Sequence, residues 1–331
     1  MNTMHAPILM THSQNGDNMK NNKYTVDTTK YSIRLEDSKI NFLKSVYKEE
    51  SITLLIEKII DETIEKHIDK PKKITSPIIR IGGKSAISNQ IVKLMPKHKF
   101  YVDVFGGAGH VLLAKPQSLS KAEVFNDKSD ELIAFFRMLQ KDPLLLRNRL
   151  LELPCSRRVY MDFLHSEIPD NDMDKAVRFF YIVRNSYYGD GRSGWRASTK
   201  NNIVKTYQRI INELYWVSDR FKDAIIDNND WKTIVNRYDR PGNLLYIDPP
   251  YIVKGKEKGI YEIAFDMNEH VKLANRLNSA TAMVMISHYD CKEYNEFYKG
   301  WNVHHIETYK ASGKIADGKK PRVIENVYCN F

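Results

Sequence analysis

The chain has 331 residues, enough for two or three domains, with 42% hydrophobic and 28% charged side chains and a formal net charge of +10. That balance excludes a wholly disordered chain, and the basic excess favours an acidic partner, nucleic acid above all. No apolar run approaches a membrane span, and Cys155, Cys291 and Cys329 are scattered without the pairing of a zinc site or a disulfide framework, which points to a reducing, cytoplasmic setting without metal.

Residues 1–22, "MNTMHAPILMTHSQNGDNMKNN", lack the apolar centre of a signal peptide and read as a disordered polar arm. Residues 23–72 read as a small module. In "KYSIRL", Tyr31, Ile33 and Leu35 alternate with Lys30, Ser32 and Arg34, which predicts a strand. Asp37 can cap a helix carrying Ile40, Leu43, Val46 and Tyr47. Ser51 can cap a second, with Ile52, Leu55, Ile56, Ile59, Ile60 and Ile64 on one stripe. "DKPKKITSP" then breaks the periodicity as a linker.

From Pro77 the pattern is α/β. "FYVDVFGG", "KAEVFND", "NLLYIDPP" and "TAMVMIS" read as buried strands with helical patterns between them. Residues 143–238 read as a helical insertion between the two parts of the α/β domain, 73–142 and 239–331. It carries the polar patch "RNSYYGDGRSGWRASTK", and substrate-reading parts sit in such insertions.

Four short motifs carry chemistry. In "DVFGGAGHVLL", Gly106, Gly107 and Gly109 join a strand to a helix and let backbone N–H groups approach a nucleotide-like ligand. The spacing does not fit G-x-G-x-x-G, and a plain tight turn is the competing reading. Asp127 ends the next strand about 20 residues later, where such folds set a carboxylate on a ribose diol. It can equally cap the helix that starts near Ser129. "GGK" puts Lys84 at a helix start; a turn with a solvated lysine is the alternative. In "LLYIDPPY", the Asp248 carboxylate accepts hydrogen bonds only, and the prolines preset φ and leave their carbonyls free to accept. Together they suit an –NH2 group on a flat ring, with Tyr251 as a stacking surface; the alternative is a proline turn that ends a strand.

These pieces, with "IGGKSAISNQIVKLMP" and "AEVFNDKSDELIAFFRML", stand in the order found in Dam-like adenine-specific DNA methyltransferases, which the stretch from about Ser76 to Phe331 resembles. "YEIAFDMNEHVKLANRL" and "AMVMISHYD" resemble that family's next segments. The resemblance implies a Rossmann-like sheet with a helical target-recognition insertion, S-adenosylmethionine as methyl donor and double-stranded DNA as partner. It implies that Asp103, Phe105, Gly106, Gly107 and Gly109 hold the cofactor and that Asp127 takes its ribose or adenine side. Lys84 would stand between cofactor and catalytic loop. Asp248 would touch both cofactor and base, with Pro249, Pro250 and Tyr251 completing the tetrapeptide. Where the family has an aromatic residue two before "GGK", this chain has Arg80.

In the insertion, Arg184, Asn185, Arg192 and Arg196 are candidates for base edges, and Tyr187, Tyr188 and Trp195 for stacking or wedging. Phe265 can line the base pocket or simply fill the core, and His270 reads as a packing histidine. Lys254, Lys256 and Lys258 form a loop that touches phosphates or stays solvated. The front module resembles a ribbon-helix-helix fold, in which two chains pair their strands and enter the major groove. That would aim Lys30, Ser32 and Arg34 at DNA and make a homodimer. Two alternatives are a DNA-binding regulator with an inert methyltransferase portion and an enzyme acting on the cytosine 4-amino group. The intact glycines and Asp248–Tyr251 favour an active, adenine-directed enzyme.

Overall fold

The computed structural model describes residues 73–80, 82–189, 194–198, 201–252, 265–309 and 321–331, preceded by the backbone of 25–28 and 31–34 and isolated positions at 39, 41, 43 and 59. The chain divides into two compact units, Met1–Lys70 and Pro71–Phe331.

In the first unit, β1 (Thr25–Thr28) pairs antiparallel with β2 (Tyr31–Arg34), Val26 opposite Ile33. The strand expected in "KYSIRL" is present as β2, and within the chain it pairs with the preceding strand. Pairing across two residues closes the shortest loop, so it carries little entropic penalty. The polar arm, the two expected helices, Lys30 and the side chains of Ser32 and Arg34 lie outside what is described.

The second unit is a seven-stranded sheet in the order β5-β4-β3-β6-β7-β9-β8. Its strands are β3 (Phe100–Asp103), β4 (Ala122–Asn126), β5 (Ala224–Asp227), β6 (Leu244–Ile247), β7 (Met283–Tyr289), β8 (Asn302–Tyr309) and β9 (Arg322–Cys329). β3 to β7 run parallel, and β9 is antiparallel to both β7 and β8. The described helices are α1 (Ser88–Lys93), α2 (His110–Ala114), α3 (Asp130–Lys141), α4 (Pro143–Leu151), α5 (Arg157–His165), α6 (Asp172–Asn185), α7 (Ile203–Phe221), α8 (Trp231–Tyr238), α9 (Met267–Asn278) and α10 (Lys292–Phe297).

The strands form because apolar residues fill both faces of the sheet. Tyr101, Phe125, Tyr246 and Met285 enter one core with α3, α6 and α7, while their neighbours Val102, Val124, Leu245 and Val284 enter another with α8 and α9. Two covered faces are the condition under which a parallel sheet is stable. The chain builds outward from β3 to β4 and β5, then crosses to β6 on the other side. That reversal opens a crevice beyond the carboxyl ends of β3 and β6, where open α/β sheets bind ligands.

The stretch expected to be a mostly helical insertion, 143–238, also contains β5 and α8, which belong to the sheet and its cover; the insertion therefore ends with α7. β5 reads poorly from sequence because it is four residues long and Ile225 is exposed at the sheet edge. β8 and β9 also escaped the pattern, since β8 is an edge strand that exposes most of its side chains. A buried knot ties the insertion to the sheet. Glu123 on β4 accepts from Arg220 Nη1 at 2.6 Å and from Lys115 Nζ at 2.8 Å, and Arg220 also donates to the Leu112 and Lys115 carbonyls. Burial pushes the Glu123 carboxyl up, but Arg220 and Lys115 outweigh it and hold it below its usual value.

Candidate active site

A cleft of about 650 Å³ lies at the carboxyl ends of these strands. Its floor is the turn after β3. Gly107 (φ 50°) and Gly109 (φ 71°) adopt left-handed conformations that favour glycine. Gly106 is glycine for a different reason: a Cβ there would meet the Phe125 ring at 2.3 Å. The Gly106 N–H donates to the Asn126 carbonyl at 2.6 Å. Asp127 accepts from the Gly107 N–H with one oxygen and from the Ser129 N–H with the other, both at 2.9 Å. It thus locks the glycine turn to the start of α3. Arg80 stands 3.5 Å from the same carboxylate. Asp103, the last residue of β3, is buried. One oxygen accepts from the Tyr101 hydroxyl at 3.2 Å, and Oδ1 has no partner among the described residues. Burial, reinforced by Asp248, pushes its carboxyl well above the usual range.

Lys84 is not a solvated lysine; it is 5% exposed. Its Nζ donates to Asp248 Oδ1 at 2.6 Å, to Oδ2 at 2.7 Å and to the Gly82 carbonyl at 3.0 Å, and lies 4.7 Å over the Tyr251 ring. Ser287 Oγ donates to Asp248 Oδ1 at 3.2 Å. Pro249 and Pro250 continue the cleft wall. Tyr251 is buried rather than presented as an open stacking surface. Its hydroxyl donates to Glu325 on β9, and His288 and Tyr289 pack on it at centroid separations of 4.5 and 4.7 Å. His288 Nε2 accepts from the Ile252 N–H at 3.0 Å while Nδ1 donates to the Tyr289 carbonyl at 2.8 Å. Burial takes its pKa down to about 3, so the ring stays neutral and can accept.

Phe265 lines the cleft and packs edge-on against Phe105 at 5.7 Å. His270 behind it is a packing histidine, bonded to the Tyr294 hydroxyl at 2.9 Å, and burial lowers its pKa to about 4. Several lining residues had escaped the sequence reading. Asn229, Asp230 and Trp231 follow β5, and Phe179, Ile182 and Val183 of α6 close another wall. The acidic–aromatic pair Asp230–Trp231 after a strand was the available signal. For Glu325 the signal was a lone acid among buried strand residues.

The described parts of the insertion's polar patch pair with each other. Ser186 bridges Trp195, and the Arg196 N–H donates to the Asn185 carbonyl at 2.7 Å. Asn185, expected to face bases, turns inward and donates to the Tyr181 carbonyl at 2.9 Å. It is a buried, hydrogen-bonded end of α6, because its apolar neighbours turn that face to the core. The Arg184 Nε is also buried without a partner among the described residues, and burial followed by Arg196 lowers its pKa to about 10. Arg196 is half-buried, and Tyr187 is exposed. Arg192, the Tyr188 side chain and the loop with Lys254, Lys256 and Lys258 lie outside the described residues.

Residues 81–311 match the family profile described as D12 class N6 adenine-specific DNA methyltransferase. Type II methyltransferase M1.LlaDCHI of Lactococcus lactis subsp. cremoris is 27% identical over 279 residues, covering 76% of this chain and 93% of that protein. DNA adenine methylase of Salmonella typhi is 25% identical over 240 residues, covering 68% and 84% respectively. The profile spans well over half of the chain and takes in the glycine turn, Asp127, Lys84 and the Asp248 loop, so this protein belongs to the D12 class N6 adenine-specific DNA methyltransferases.

Proposed function

We propose that the cleft binds S-adenosylmethionine over the glycine turn and serves methyl transfer to the 6-amino group of an adenine extruded from double-stranded DNA. The observation that carries this reading is the buried Lys84–Asp248 pair, set in the wall of the same cleft as the glycine turn. The residues suit the cofactor. The volume falls within the range of about 300–1,000 Å³ usual for small-molecule sites. The unpartnered Asp103 oxygen suits the ammonium of an amino-acid end, Phe105 and Trp231 offer apolar faces to a purine, and Asp127 and Arg80 line the side for ribose. When bound, the cofactor supplies a methyl group on a sulfonium, an activated carbon electrophile.

The chain's own work is done on the amine. An adenine amino group is a poor nucleophile because its lone pair is delocalised into the ring. Asp248 and the Pro249 carbonyl accept its two N–H bonds, which favours a pyramidal nitrogen with a localised lone pair. Asp248 is also placed to take the N–H proton that the nitrogen would shed on accepting the methyl group, whose bond to the sulfonium would break to leave a neutral thioether. Lys84 holds both carboxylate oxygens, so the acceptor is aimed before the base arrives; positioning and electrostatics carry the rate. Pro249 and Pro250 stiffen the loop, and Tyr251 anchors it through β9. Extruding the base costs a few kcal/mol, which contacts in the cleft offset.

In the same reading Arg184, Arg192 and Arg196 with Tyr187, Tyr188 and Trp195 meet the duplex, and Arg184 turns outward to do so. The front unit adds contacts through Lys30, Ser32 and Arg34 and joins two chains in a cytoplasmic, DNA-associated homodimer. Light scattering on residues 71–331 tests that part: an unchanged dimer removes the front unit as the dimeriser. The central test is Asp248→Ala. It should bind duplex DNA as the wild type does and incorporate no radiolabelled methyl; normal turnover sinks the assignment.

A further inference from the structure

Glu325 lies on β9, beyond the matched residues 81–311, and is 2% exposed. A carboxylate at that depth persists only with partners. Its partners are the two side chains that hold the Asp248 loop. The Tyr251 hydroxyl donates to Glu325 Oε1, and Lys84 Nζ stands 3.6 Å from the same oxygen. Strand register brings it there, since Glu325 pairs with Tyr289 on β7, one residue after the His288 that holds the Ile252 N–H.

We propose that Glu325 is a positioning residue for methyl transfer, fixing Tyr251 and Lys84 from the β9 side so that Lys84 stays charged and keeps Asp248 aimed at the base. This rests on the reading of Asp248–Tyr251 as the loop that takes the adenine amine. The geometry is one buried cation between two carboxylates. Lys84 spends its donors on Asp248 and the Gly82 carbonyl, and Glu325 stands beside it as the second carboxyl; burial pushes the Glu325 pKa up, Lys84 opposes that, and the balance leaves it above the usual carboxylate value. Among the described residues, the other titratable groups facing this pair include Asp103 at the end of β3, His110 of α2, Tyr246 of β6, His288 of β7 and Tyr294 of α10. Burial lowers the pKa of both histidines, to about 4 and about 3, so neither competes as a cation near neutrality. Removing the Glu325 charge leaves Lys84 with Asp248 as its direct carboxylate partner and frees the Tyr251 end of the loop.

The test uses the full chain with Glu325→Gln, Glu325→Asp, Tyr251→Phe and, in parallel, Asp248→Ala. Methyl incorporation into a duplex gives kcat, KM for DNA and the pH profile of kcat, and thermal melts check folding. E325Q should keep its KM for DNA, lose about 10–100-fold in kcat, as small misplacements at a reacting centre do, and move the alkaline limb of its profile to lower pH. E325D, which restores the charge one methylene short, should return that limb part of the way. Wild-type kcat and pH profile in E325Q beside a dead D248A overturn the proposal. A loss of kcat without movement of the pH profile marks a merely structural residue and overturns it too. An active D248A overturns the reading of the loop itself. If E325Q does not fold, Y251F carries the test: it removes only the hydroxyl bound to Glu325, and an unchanged kcat in folded Y251F is the overturning result.

Discussion

Gly106→Ala is the sharpest test of how the glycine turn is built. Gly106 has no positive φ, so alanine meets no backbone strain there, and a Gly→Ala change at such a site ordinarily stabilises by about 0.4–1 kcal/mol. Here the sign should reverse. The new Cβ would lie 2.3 Å from Phe125 Cε2, against an ordinary contact distance of 3.4 Å, so something must move by 3.4 − 2.3 = 1.1 Å. The ring cannot retreat. It is fully buried and packed against Phe136 at 4.7 Å and Phe221 at 5.2 Å. The turn cannot lift without breaking the bond from the Gly106 N–H to the Asn126 carbonyl. Overpacking of this kind costs about 1–3 kcal/mol. That corresponds to a drop of roughly 2–12 °C in melting temperature for a domain of this size. Thermal melts of wild type, G106A, Phe125→Leu and the double variant measure it, with titration calorimetry of S-adenosylmethionine as a second readout. The leucine removes the ring edge, so the double variant should lose less stability than the two singles added together. An unchanged or raised melting temperature in G106A, or strict additivity, refutes the argument.

Removing Glu123 from the buried knot as Glu123→Ala should destabilise by about 3–5 kcal/mol in urea unfolding, because it strands Lys115 and Arg220. In the wild type the Glu123 pKa is lowered on folding, so its contribution is present above the ordinary carboxylate value of about 4.3 and is lost as pH falls below it; that acid-side loss should be absent in the variant. His270 and His288 titrate at about 4 and about 3 in the fold, against 6.5 unperturbed. Their neutral burial therefore stabilises fully above pH 6.5, and stability should fall as pH drops from 6.5 toward about 4, less steeply in His270→Gln; melts across that range check it. Lys84→Met should retain DNA binding in gel shifts and lose methyl incorporation, because Asp248 loses the donor that aims it.

Much of the site was readable along the chain because its parts are local. The apolar runs that become β3, β4, β6 and β7 are strong patterns, and the first three lead into a residue with chemistry: Asp103, Asp127 and Asp248. The glycine turn and the two prolines announce their backbone needs within a few residues. Order along the chain was sufficient to suggest the family. What stayed hidden depends on contacts between distant segments. Asp127 is 20 residues from the Gly107 N–H it holds, Asp248 is 164 from Lys84, and Tyr251 is 74 from Glu325. No periodicity encodes such distances; the sheet order brings them together. The same cause turned Asn185 inward and buried Tyr251, since packing decides which polar groups keep an open face. β5 and β8 were missed because edge strands bury too few side chains to leave an alternating signature. Residue types and strand ends thus declared the chemistry locally, while the crossing from β5 to β6 and the return of β9 beside β7 determined which groups meet, because only folding makes neighbours of residues that the chain keeps far apart.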